Sequence, residues 1–379
     1  MTPEQLAEAK RYGRAQLYCD LADKGLDLAY LAVAAFLLAR PLEAWLAGAA
    51  PLLARFDTLR LAALYLAVFA LHVAVSFPLS FYAGHLLEHR YGMSTQSFRR
   101  WLGRYAKRMG LGGAFALALF LALFWVIWLT GPCWWLVATA AFFLVSMVLG
   151  QLFPVLILPL FYKVEKLDRP DLAERIGRLA EAAGLSIEGV YRLELSTETV
   201  KANAMLAGLG RTRRVLLGDT LLDGFTADET AVVFAHEIGH HARRHLPKLL
   251  AAGLVASTAG FWLVDRVLAW WEGGWPGAPL DYANLPVAAL PLIMLSLTLF
   301  GLLLEPMQNA LSRRFERQAD HYALRATGQP AAYRSAFLKL ARVNKDDPDP
   351  PWLEVVLFHS HPPIADRLAL AADQSPAGP

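Results

Sequence analysis

Six stretches of this chain are apolar and long enough to cross a lipid bilayer as helix, which takes about 20 residues. They cover residues 26–48, 61–83, 113–130, 134–160, 246–270 and 285–304. Hydrocarbon offers no partner to a backbone N–H or C=O, so such stretches can only be helices that satisfy their own hydrogen bonds. Composition agrees. The chain is 56% hydrophobic and 18% charged, with a mean hydropathy of +0.36, against about 45–50% and about 25% in soluble domains. Those figures exclude a disordered chain and an ordinary soluble one. The first stretch is the weakest, interrupted by Arg40, Pro41 and Glu43. The fourth holds Gly150 and Pro154, where a kink is expected. Trp134, Trp135, Trp270 and Trp271 stand at stretch ends, where indoles favour the headgroup layer.

The loops set an orientation. Residues 84–112 carry Arg90, Arg99, Arg100, Arg104, Lys107 and Arg108 against Glu88 alone, whereas 271–284 carry Glu272 and Asp281 and no Lys or Arg. Excess positive charge marks the cytoplasmic side. Six crossings then put both termini and residues 161–245 in the cytoplasm. The polar, partly acidic N-terminus reads as an anchor's flank rather than a cleavable signal peptide. A net charge of +3 with no basic, aromatic-interleaved tail gives no reason to expect nucleic acid. Cys19 and Cys133 lie too far apart in sequence for a CxxC zinc site or a disulfide framework, so any metal must be held by His and carboxylate. His72 lies inside the second stretch and could face water. Asp265 and Arg266 lie near the Trp270 belt, where they are expected to snorkel to the interface.

Two polar regions remain, 161–245 and 305–379. The first begins with Leu172, Ile176, Leu179 and Ala183 at helical spacing. Strand-like runs follow at 189–195, 200–207 and 214–218. Thr226 and Glu229 then form a capping-box signature for a helix over 227–245. A further helix is expected over 306–327, with Pro306 near its start and Gly328 past its end. The decisive string lies on the capped helix: His236-Glu237-Ile238-Gly239-His240. Helical geometry stacks His236 and His240 one turn apart, where both imidazoles can bind one cation. Glu237 sits beside them as a base for the attacking water. The bland alternative is a solvated, His-rich helix end. His241 and His245 extend the run and are expected to be solvated or interfacial.

A catalytic zinc takes three protein ligands and leaves one position open. The extended metzincin pattern would need Gly at position 243 and His at 246. The chain has Arg243 and Leu246 there, so the third ligand must come from elsewhere. In SRRFERQAD, Glu316 and Asp320 are four apart on one helix face. Glu316 can ligate while Asp320 orients a ligand histidine. Glu305 is the competing carboxylate, at the membrane boundary.

HEIGH, a two-helix membrane hairpin, SRRFERQAD, and His361-Pro362-Pro363 with Arg367 together resemble the type I CaaX prenyl proteases. These are integral-membrane zinc endopeptidases of the gluzincin class. The likeness extends to Asn203-Ala204 and to RVLLGDTLLDG, and more weakly to HRYGMSTQ. It implies zinc on His236, His240 and Glu316, Glu237 as general base and acid, Asn203 and His361 at the substrate or its tetrahedral intermediate, and Arg367 bracing the site. It also implies a barrel of helices around a large chamber. Eukaryotic members have seven spanning helices against six counted here, and His241 replaces a bulky aromatic.

The expected protein is therefore mainly α: a polytopic helical membrane protein with an α+β gluzincin-like metalloprotease domain. Residues 1–160 form a membrane domain of four crossings. Residues 161–379 form the protease domain, interrupted by a hairpin at about 246–304. One Zn2+ per chain, a peptide or protein substrate that can be lipidated, and the bilayer are its expected partners. A stress-type quality-control protease and a non-catalytic scaffold or transporter with structural zinc are the alternatives.

Overall fold

The computed structural model describes residues 1–208, 213–273 and 280–372. Helix α1 (Pro3–Val33) opens at Thr2, whose hydroxyl accepts from the Gln5 N–H while the Gln5 side chain accepts from the Thr2 N–H. A π turn at Ala34–Leu38 joins α1 to α2 (Ala39–Ala49). A short α3 (Pro51–Arg55) precedes α4 (Asp57–Phe81), which passes through a second π turn into α5 (Glu88–Arg90). Helices α6 (Phe98–Thr130) and α7 (Trp134–Leu152) follow. After α7, Pro154 lacks the N–H that a regular helix needs, and residues Phe153–Ile157 wind as a π turn at the expected kink.

Among the described residues, five continuous helical stretches are long and apolar enough to cross a membrane. One of them, Phe98–Leu160, has 63 residues, about 95 Å of helix at 1.5 Å per residue. That is some three bilayer cores long. The chain turns at Gly131–Cys133, where Gly131 takes φ +55°, and α6 packs back against α7. This stretch is thus long enough for two passes, which gives about six among the described residues. Their shared core includes Tyr30, Leu64, Phe124, Trp134, Leu268 and Ile293.

Two interfacial expectations are corrected within that core. Trp134 is fully buried, and its indole N–H donates to Asp265 Oδ1 at 2.8 Å. Asp265 is fully buried too, holding the Tyr282 hydroxyl at 2.9 Å and pairing with Arg266. A carboxylate with three donors is cheaper to bury than to carry to the interface through packed helices. Arg266 and Trp270 do reach outward. His72 pairs with Asp27 at 2.7 Å across α4 and α1.

Outside the membrane helices, a four-stranded sheet runs in the order β1-β2-β4-β3. Its strands are β1 (Val164–Lys166), β2 (Gly189–Leu193), β3 (Ala204–Ala207) and β4 (Arg214–Gly218). β2 and β4 are parallel, and β1 and β3 pair antiparallel on either side. The strands at 189–193 and 204–207 are shorter than the sequence suggested, because 195–200 instead pairs with the 93–95 segment after α5. Helix α8 (Pro170–Ala182) packs its Leu172–Ile176 stripe on Val190, Val215 and Phe234.

Helices α9 (Asp219–Gly224) and α10 (Ala227–Ala242) follow β4. The expected helix over 227–245 ends early. Arg244 takes φ +55°, and the chain restarts as α11 (His245–Gly273). The second arm of the hairpin belongs to α12 (Leu290–Thr327), which runs on unbroken, with Pro306 inside it rather than near its start. Gly328, at φ +61°, stops it. Helices α13 (Pro330–Asn344), α14 (Trp352–Phe358) and α15 (Ile364–Ala372) close the fold.

Candidate metal centre

The site is built where α10 crosses α12. Thr226 and Glu229 cap α10 reciprocally, and Glu229 is further held by Ser335 at 2.5 Å and Lys339 at 2.7 Å. Residues 229–236 are buried against the sheet and α12. The crossing is close because Gly239 has no side chain: a Cβ there would stand 2.8 Å from Ala319 Cα. That contact sets the HEIGH turn directly over Glu316 and Asp320.

His236 and His240 share one face, as their spacing requires. Their Nε2 atoms are 3.2 Å apart, and each lies 3.2 Å from an oxygen of Glu316. A tetrahedral zinc site with arms of about 2.0–2.1 Å has donor–donor edges of about 3.3 Å. The three residues therefore fit a zinc ion. Glu316 Oε2 supports the fit: it is buried with only ring nitrogens of His236 and His361 near it and no hydrogen bond of good geometry, leaving lone-pair capacity that a cation would satisfy. Among the described residues, these three form the one His/Cys/carboxylate group with donor atoms so clustered.

Partners behind the donors fix their orientation. His236 Nδ1 lies 2.9 Å from Asp320 Oδ1. Asp320 is fully buried and gripped by Arg367, with Nη2 at 2.6 Å from Oδ1 and Nε at 3.0 Å from Oδ2. The Arg367 guanidinium stacks 3.9 Å over the Phe337 ring. A charge so paired and covered offsets its own burial. Glu237 lies next to the donors, and burial pushes its carboxyl above the usual range while His236 and His240 pull it back. A raised carboxyl is suited to exchanging a proton near neutral pH.

His361 approaches from the loop before α15, its Nδ1 2.8 Å from Glu316 Oε2 and its ring largely exposed. Asn203 stands immediately before β3, where its carbonyl accepts from the Gly218 N–H at 2.9 Å. All the residues singled out for chemistry, apart from Asp320 and His240, line one cavity of about 540 Å³. Gln16 and Asp20 of α1 line it too. β3 is a sheet edge facing this space.

One neighbour was not expected. His245 is buried to 1% and touches His240, Nδ1 to Nδ1 at 3.1 Å. Its Nε2 lies 3.0 Å from Gln318 Oε1. His359, just after α14, lines the same cavity but turns its ring to Glu354 at 3.2 Å, while its carbonyl accepts from Arg313.

The family model for peptidase family M48 matches residues 166–374, more than half of the chain. The chain belongs to peptidase family M48. A second model, for the CAAX prenyl protease N-terminal region with five membrane helices, matches residues 1–163. A Bacillus subtilis protein described as uncharacterized metalloprotease YhfN is 26% identical over 378 residues, covering all of this chain and 88% of that one. The CAAX prenyl protease 1 of Saccharomyces cerevisiae is 27% identical over 79% of this chain and 69% of its own. The crystal structure of S. mikatae Ste24p superposes with a TM-score of 0.83 at 21% identity, over 98% of this chain and 90% of that one. This M48 chain is thus a multi-pass integral-membrane metalloendopeptidase with the Ste24p fold. Membership sets aside the non-catalytic scaffold, and the family implies a metal.

Proposed function

We propose that this M48 protein is a zinc endopeptidase cleaving membrane-associated or prenylated CaaX-type peptides, its site opening toward the cytoplasm. The observation that carries the reading is the trio of His236, His240 and Glu316 donors at mutual 3.2 Å separations beside the Glu237 carboxylate. Zinc held there supplies Lewis acidity to the scissile carbonyl and acidifies water. Everything else falls to the chain's own groups. Glu237 takes the proton of the attacking water and returns it to the leaving amine. Asn203 and His361, on the cavity wall, donate to the developing oxyanion. The free edge of β3 aligns an extended peptide by strand addition. Asp320 and Arg367 hold His236 in the tautomer that leaves Nε2 free. The basic α5–α6 region favours the cytoplasmic assignment, and CAAX prenyl protease relatives in yeast, plants and humans support a lipidated substrate.

The test compares wild type with Glu237→Gln, reconstituted in liposomes, on a farnesylated CaaX peptide and on an unfolded membrane protein. Wild type is expected to cleave the farnesylated peptide. Glu237→Gln should retain zinc and lose about 10²–10⁴-fold in rate. An active Glu237→Gln enzyme would overturn the mechanism. Cleavage confined to the unfolded protein would move the function to quality control.

A further inference from the structure

Neither the HEIGH pattern nor the carboxylate on α12 accounts for a polar chain behind the second histidine, centred on the buried His245. His240 Nε2 faces the other two donors, and its Nδ1 meets His245 Nδ1 at 3.1 Å. His245 Nε2 meets Gln318 Oε1 at 3.0 Å. The ring of His245 lies flat on Phe315, centroids 4.2 Å apart at 8°. His245 is 1% exposed, so its ring nitrogens meet these two side chains rather than bulk water.

Proton counting then allows one arrangement. A metal-binding Nε2 must be a lone pair, so neutral His240 carries its proton on Nδ1. That N–H needs an acceptor, and His245 Nδ1 is the atom present. His245 must then carry its own proton on Nε2, which donates to Gln318 Oε1. The lone pair required on His240 Nε2 sets the direction of the chain, and the Gln318 amide oxygen completes it as the terminal acceptor. From this we infer that His245 and Gln318 are positioning residues that hold His240 in its metal-binding tautomer, as Asp320 and Arg367 do for His236. The inference rests on the zinc reading proposed above. The turn at Arg243–Arg244 serves it: the left-handed Arg244, at φ +55°, ends α10 and swings His245 back under His240. Gln318 is two residues beyond Glu316 on α12, so one helix supplies both a metal donor and the end of the relay. Since α11 starts at His245, the relay also ties the membrane hairpin to the metal centre.

The experiment measures the zinc dissociation constant of the detergent-purified full chain by chelator competition, alongside its unfolding temperature. His245→Phe keeps the ring stack on Phe315 but offers no acceptor. His245→Gln offers an amide oxygen to His240 and an amide N–H to Gln318. Zinc binding by His245→Phe is expected to weaken about 10–100-fold with little change in unfolding temperature, and His245→Gln to recover most of it. Gln318→Leu, the second variant should His245→Phe fail to fold, is expected to weaken zinc about tenfold. Wild-type affinity in both His245→Phe and Gln318→Leu would overturn the inference. So would equal losses in His245→Phe and His245→Gln, which would mean packing rather than hydrogen bonding. Absence of zinc from the wild type would instead refute the zinc reading itself.

Discussion

At the scale of single residues, the site's legibility follows from how local each geometric rule is. His236 and His240 are one helical turn apart, and no tertiary contact is needed to place them together. Glu316 and Asp320 follow from the same rule on another helix. His245 does not. Five residues past His240 it would point about 140° away on a continuous helix, at 100° per residue. Only the left-handed Arg244 brings it back, and nothing in HEIGHHARRH announces that turn. Trp134 and Asp265 were misplaced for a related reason: a Trp or an acid near a span's end looks the same whether it reaches the interface or finds a buried partner.

A second buried carboxylate gives a prediction at this scale. Asp219, fully buried, accepts from the Leu195, Ser196 and Thr220 N–H groups at 2.8, 3.0 and 2.9 Å and from the Ser196 hydroxyl at 2.6 Å. Burial raises its carboxyl, but these donors outweigh it and hold the group below the usual range. A folded value below the unfolded one, about 3.9, stabilises the protein above that pH and is lost as pH falls through the folded value. Asp219→Asn should therefore cost about 2–3 kcal/mol at pH 7. The gap from wild type should narrow below about pH 4, measured as unfolding temperature in detergent. A gap that stays constant down to pH 3 would contradict the charged hydrogen bonds.

Among elements, the crossing of α10 on α12 is the decisive contact, and Gly239 makes it possible. The motif names a glycine there, but not what it touches. Gly239→Ala places a methyl 2.8 Å from Ala319 Cα and 3.1 Å from the Ala319 carbonyl oxygen. Backbone cannot rotate aside as a side chain can, so the helices must part. The expected loss is about 1–3 kcal/mol of stability, with weaker metal binding because Glu316 moves with α12. Unchanged stability and affinity would show that the crossing tolerates the extra atom. Strand ends and the helix break at Ala242 were less legible than the helices themselves. The strand ends are set by pairing between 93–95 and 195–200, contacts about a hundred residues apart in the chain, and the helix break by the left-handed Arg244.

In the whole molecule, apolar length was read correctly and topology rests on charge. The α6–α7 turn offers a direct check without engineering a new probe. Cys133 is exposed at that turn, whereas Cys19 is buried. If residues 84–112 are cytoplasmic, Cys133 lies on the opposite face. A membrane-impermeant maleimide added to intact cells should label the wild type and not Cys133→Ser. Labelling only after permeabilisation would invert the proposed orientation.

The proposed metal donors test the assembled fold, since α10 would supply two and α12 the third after the membrane hairpin. The most direct measurement is the metal content of the purified full chain, wild type beside Glu316→Ala. One zinc per wild-type chain, lost or greatly weakened in a folded Glu316→Ala protein, is the predicted result. A folded wild type that holds no zinc, or a Glu316→Ala variant that holds it as tightly, would contradict the metal centre described here.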